Sequence, residues 1–177
     1  MNSTYIKNEL FKYFRYNRQF WLCCTEGINY SDFIAMNENT MIEVEVKISK
    51  ADIKAEFSDK NKYCNKYKKH YKRYNNAENI FKTYEETRKL DNTTMNIPNL
   101  FYVAVPQELL EFAKAEVNKI NPKYGVITVK DGGGRDCVFI MKDAKKLHTY
   151  KPNAKTVKMI GKRCSSELCT LRSKFLR

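Results

Sequence analysis

From residue 42 to 48 the chain alternates apolar and charged positions without a break. Ile42, Val44, Val46 and Ile48 fall on one side, Glu43, Glu45 and Lys47 on the other. Period two is the signature of a β-strand. With the preceding run 32–36 and the Asn-rich residues between, it predicts a hairpin over 32–47. Upstream, residues 3–18 place Ile6, Leu10, Tyr13 and Phe14 on one helical face, with Ser3 or Thr4 as the cap. The run 20–25 is nearly continuous in apolar residues, as in a central strand. Gly27 and Asn29 turn it toward Asp32.

Beyond the hairpin, Asp52 is the expected cap of a short helix over 53–59, followed by a strongly basic segment. Residues 60–73 carry seven Lys and Arg and no acid. Tyr63, Tyr67, Tyr71 and Tyr74 recur among them at helical spacing. Residues 75–97 are rich in turn formers and read as an insertion. A strand over 100–105, a helix over 108–119 and strands over 124–129 and 138–141 follow. The last two are joined at Gly132, Gly133 and Gly134 as a hairpin. No helix follows these glycines, so they do not form a phosphate-cradling loop. Residues 142–177 hold eleven basic and two acidic residues with few apolar anchors, the pattern of a solvated or partly ordered basic tail.

Side chains two apart on a strand point the same way, so Glu45 and Lys47 face one spot that Asp32 can join from the neighbouring strand. Two carboxylates with a lysine beside them can hold a divalent cation next to a phosphodiester and stabilise the charge that develops there. The ordinary alternative for the same stripe is an exposed sheet face with salt bridges.

This Asp32…Glu45-x-Lys47 arrangement resembles the PD-(D/E)xK nuclease superfamily. The resemblance extends to the order of elements around it and covers roughly residues 3–130. More narrowly, EVKISKADI with the later KYKKH and PNLFYVAVP is similar to the MmcB-like and phage-encoded branch. Tyr30 and Ser31 stand where the family often has a proline before the motif aspartate.

The resemblance implies an α/β fold, a restriction-endonuclease-like αβββαβ core. Its mixed central sheet is flanked by helices, with a C-terminal β-hairpin and the basic tail added. It implies a nuclease domain over 1–145 and a basic extension over 146–177. Asp32 and Glu45 would be metal ligands for Mg²⁺ or Mn²⁺ and Lys47 a catalytic group. Glu9, on the first helix, stands where family members often carry a further acidic residue; a solvated surface glutamate is the other reading.

The implied activity is metal-dependent hydrolysis of DNA, with roles in DNA repair or phage biology. The alternative is a nuclease-fold protein that binds nucleic acid or inhibits a partner without cutting.

Charge supports a polyanionic partner. The 177 residues carry a net charge of +13, and 42% are apolar, as in a folded domain. Lys60, Lys62, Lys66, Lys69, His70, Lys72 and Arg73 are the expected nucleic-acid contacts. No apolar run approaches the ~20 residues of a membrane span, and residues 1–14 are amphipathic, unlike a signal peptide. A cytoplasmic protein of a bacterial or phage-infected cell is expected, with oligomeric state open and a dimer compatible. The six cysteines include no C-x-x-C pair, and free thiols are expected.

Overall fold

The computed structural model describes residues 1–27, 31–58, 97–132, 137–149 and 151–175. Six strands form one open, mixed sheet in the order β1-β2-β3-β4-β5-β6. They are β1 (Leu22–Thr25), β2 (Phe33–Met36), β3 (Met41–Val46), β4 (Leu100–Pro106), β5 (Gly125–Val129) and β6 (Val138–Lys142). The first three are antiparallel, β3, β4 and β5 run parallel, and β6 returns antiparallel. The protein is thus of the mixed α/β class, as expected.

Helix α1 (Ser3–Lys12) continues into a π-helical turn over Tyr13–Asn17. Its apolar stripe of Ile6, Leu10 and Phe14 covers one face of the sheet, over Phe33, Ala35, Val44, Val46 and Ala104. Phe14 stacks on Phe33 at 5.6 Å between ring centres and meets Phe20 edge-on at 5.7 Å. The cap is Asn2, whose Oδ1 accepts from Tyr5 N–H at 2.8 Å, one residue before the expected Ser3 or Thr4.

Among the described residues three helices lie on the other face. Those of α2 (Lys50–Ser58) and α3 (Leu110–Ile120) bury Ile53, Leu110, Ala113 and Val117 against Phe101, Val103, Val105 and Val126. Helix α2 begins three residues earlier than expected because Ser49 caps it: the Asp52 N–H donates to Ser49 Oγ at 3.1 Å. Asp52 sits in the first turn, where an acid favours the helix dipole.

The third helix corrects the reading of a loose tail. Residues 154–175 form one helix, α4 (Ala154–Phe175). Its Val157, Ile160 and Cys164, at helical spacing, cover Cys24, Ile34, Met36 and Met41. The connection to it is also tied down: Leu147 is buried, and its N–H donates to Asn99 O at 2.8 Å. His148 Nε2–H donates to Ile97 O at 2.9 Å. The second face therefore needs residues beyond 146 to be closed, because burying those apolar side chains drives the packing.

Candidate active site

Both faces of β3 are buried, so the charged side of its alternation does not face bulk solvent. Glu43 and Glu45 lie on the α2/α4 face with exposures of 1% and 2%. The β2–β3 register pairs Phe33 with Val44 and Ile34 with Glu43, which carries Asp32 to the level of Glu45. Asp32 sits just before β2 and accepts the Val46 N–H at 2.9 Å through Oδ2. This hydrogen bond fixes the carboxylate at the end of the sheet where β3 terminates.

Lys47 gathers the site. Its Nζ lies 2.9 Å from Glu45 Oε2, 2.8 Å from Glu56 Oε2 and 3.6 Å from Asp32 Oδ2. The three carboxylates come from three places in the chain: the approach to β2, β3 itself, and α2. Asp32 is the outermost, 22% exposed, against 2% for Glu45 and 3% for Glu56. A second lysine approaches from the other layer: Lys7 of α1 lies 2.9 Å from Asp32 Oδ1 and also pairs with Glu26. Glu26 takes a left-handed backbone (φ 50°) at the end of β1, a conformation uncommon for a residue with a Cβ. Its N–H donates to Asp32 O at 3.0 Å, so the turn and the motif aspartate are tied together.

These contacts set the protonation states. Burial alone would raise the Asp32 pKa. Hydrogen bonds from Lys7 and the Val46 N–H, with the charge of Lys47, outweigh it and hold the carboxyl below its ordinary range. Burial likewise disfavours the Lys47 ammonium, but Glu45 and Glu56 beside it push its pKa well above the usual lysine value. Both groups are charged at neutral pH.

The expected trio of Asp32, Glu45 and Lys47 is thus brought together. Glu9 is not joined to it. Residues two apart on a helix point to different sides; Lys7 reaches Asp32, whereas Glu9 pairs with Lys12 at 2.7 Å. Lys60, Lys62, Lys66, Lys69, His70, Lys72 and Arg73 lie outside the described residues, as does nearly all of the segment read as an insertion.

Sequence reasoning missed Lys7, Glu26 and Glu56. Only Glu56 carried a signal, three residues after Ile53 on the inward face of α2.

The donor set has the chemistry for a hard divalent cation: carboxylate oxygens, one of them partly open to solvent. Among the described residues no group of three or more His, Cys, Asp and Glu is arranged to hold a metal ion. Mg²⁺ asks for less, since it is commonly bound through one or two carboxylates, the rest of its shell being water and phosphate oxygen.

No protein-family model and no curated protein matches this chain. Among solved structures it is similar to the SPO1766 protein of unknown function from Silicibacter pomeroyi. The TM-score is 0.55 at 10% identity, over 97% of this chain and 92% of that one. At that identity the likeness concerns the fold alone. Among the described residues no helix is long and apolar enough to cross a membrane.

Proposed function

We propose that this protein is a metal-dependent nuclease that hydrolyses phosphodiester bonds in DNA, of the PD-(D/E)xK type. The observation that carries the reading is the approach of Asp32 and Glu45, from adjacent antiparallel strands, to one ammonium nitrogen at the end of the sheet. The partial exposure of Asp32 gives phosphate a way in, and the excess of basic residues over the whole chain favours a polyanionic substrate.

Asp32 and Glu45 are the residues that would hold Mg²⁺ or Mn²⁺. When bound, such an ion lowers the pKa of water and offsets phosphate charge. Lys47, held cationic, supplies a fixed positive charge where negative charge develops on the phosphate oxygens. Glu56 keeps that ammonium from swinging away, and Lys7 keeps Asp32 ionised and oriented.

A second reading, a non-catalytic nucleic-acid binder or inhibitor with this fold, is favoured by one observation. The Lys47 ammonium already occupies the space between the carboxylates, as it would in a purely structural ion cluster.

The test is cleavage of linear, circular and branched DNA with Mg²⁺ or Mn²⁺, comparing the wild type with Asp32→Asn and Glu45→Gln. Each substitution should lower the cleavage rate by at least about a hundredfold, roughly 2.7 kcal/mol of transition-state stabilisation. DNA binding in EDTA should survive both. Wild-type protein that binds DNA and cuts none of the three forms would establish the second reading.

A further inference from the structure

Helix α4 carries six basic residues and a single acid, Glu167. That acid is withdrawn from the helix surface. Its Oε1 accepts the Thr25 N–H at 3.0 Å and the Thr25 hydroxyl, at the end of β1. The basic residues are distributed differently. Lys155, Lys158 and Lys162 are exposed and spaced three and four apart. With 3.6 residues per turn they fall within about 60° of one another, and roughly 180° from Ile160, the centre of the packed face. Below them the same line continues through Ser165, Ser166 and Cys169, all exposed and small. The outer ridge of α4 is therefore positive, uninterrupted by any carboxylate, and free of bulky apolar side chains.

The direction of the helix matters as much as its charge. Cys164 donates to Cys23 O at 3.3 Å and Glu167 reaches Thr25, so α4 runs along β1 toward the end where Asp32 lies. Thr25 is followed by Glu26, which shares Lys7 with Asp32. Residues 168–174, all exposed, extend past that end, about 10 Å of helix at 1.5 Å per residue. Arg172 and Lys174 lie on this projecting part.

We infer that the outer ridge of α4 is a docking surface for the sugar-phosphate backbone of duplex DNA, leading it to the Asp32–Glu45–Lys47 cluster. The inference rests on the nuclease reading for its substrate and assigns the surface that holds it. A row of lysines continued by small residues contacts successive phosphates without reading base edges, so binding through this ridge is independent of sequence.

The test is anisotropy of a fluorescein-labelled DNA duplex in EDTA across a salt series. The variant is the full chain with Lys155→Gln, Lys158→Gln and Lys162→Gln. A control of equal charge carries Lys114→Gln, Lys119→Gln and Lys130→Gln, away from α4. The ridge variant should bind at least about tenfold more weakly. Its log–log salt slope should be shallower by about two to three, near 0.9 per lost phosphate contact. The control should keep the wild-type slope. All three substituted ridge side chains are exposed, so an unchanged thermal melt accompanies the loss.

Equal weakening of ridge variant and control would overturn the inference, as would an unchanged slope in the ridge variant. Absence of DNA binding by the wild type would overturn it too, and capture by phosphatidylserine–phosphatidylcholine vesicles instead would mark α4 as a membrane contact. Ridge-dependent binding with no cleavage under any metal would leave the inference standing and remove the nuclease reading.

Discussion

Lys47, just past the end of β3, and Glu56, in the last turns of α2, form an ion pair of 2.8 Å with exposures of 10% and 3%. The pair joins a strand to the helix that follows it, and Glu45 shares the same ammonium. Removing one partner of a buried pair strands the other charge away from water, which costs about 3–5 kcal/mol. Lys47→Met should therefore lower stability by that amount in urea unfolding. Adding Glu56→Gln to it should return part of the loss. Full stability of Lys47→Met alone would mean that the cluster is not buried as described. A loss of cleavage in any Lys47 variant has to be read beside its unfolding curve.

Acid stability should follow Asp32. A carboxyl whose folded pKa lies below its unfolded value, about 3.9, stabilises the fold above that value. The contribution disappears as pH falls through the folded pKa. The melting temperature should thus fall on acidification below about pH 4, and Asp32→Asn should flatten this limb. Lys47 has the opposite sign. Its raised pKa gives stability that is complete below about pH 10.4 and is lost as pH rises through the folded value. Superimposable acid limbs for wild type and Asp32→Asn would contradict the Lys7 and Val46 hydrogen bonds.

The same substitution should act in opposite directions at two glycines. A Cβ on Gly125 would stand 2.3 Å from Tyr102 Cε1 and 2.7 Å from the Lys142 carbonyl oxygen, and that carbonyl is backbone. Gly125→Ala should cost about 1–3 kcal/mol as overpacking. Gly161, inside α4, has nothing within 4 Å of such a Cβ. Gly161→Ala should gain about 0.8–1 kcal/mol from helix propensity. Chemical denaturation of the two variants checks both signs.

Thiol reactivity should report the docking of α4. Burial raises the Cys23 thiol to about 12, leaving on the order of one molecule in ten thousand ionised at pH 8. Cys24, fully buried, is raised further by its hydrogen bond to Cys164 and by burial. Cys169 is exposed. Among the cysteines of the described residues, brief treatment with iodoacetamide should label Cys169 first and Cys164 next, with Cys23, Cys24 and Cys137 protected until the chain unfolds. Peptide mapping that finds Cys24 modified as fast as Cys169 would undo the packing of α4 on β1.

The β3 alternation was legible because period two needs no knowledge of the rest of the chain. It gave the hairpin, the face shared by Glu45 and Lys47, and the level of Asp32. What it could not give was burial: a strand with charges on one side reads as half-exposed until the helices over that side are known. Glu56 and Lys7 were hidden for the same reason. Each is an ordinary helical charge until a partner distant in sequence defines it, Lys47 for one and Asp32 for the other. Helix α4 was obscured by its charge. Its anchors Val157, Ile160 and Cys164 are sparse among lysines, and their partners on β1, β2 and β3 lie more than a hundred residues away. Helix starts slipped by a few residues where several side chains can cap, as Asn2 displaced Ser3 and Ser49 displaced Asp52.

That covering of β1 by α4 also sets a timetable for synthesis. The apolar side chains of Cys24, Ile34, Met36 and Met41 leave the ribosome early, on the edge strand β1 and its neighbours, but Cys164 follows Met41 by 123 positions. At about 5–20 residues per second, the nascent chain carries an uncovered sheet face and an open strand edge for roughly 6–25 s. An open edge beside apolar surface is a template for pairing with other chains. The growing polypeptide therefore carries a pairing hazard during elongation, which ends for this apolar face when α4 emerges and covers it.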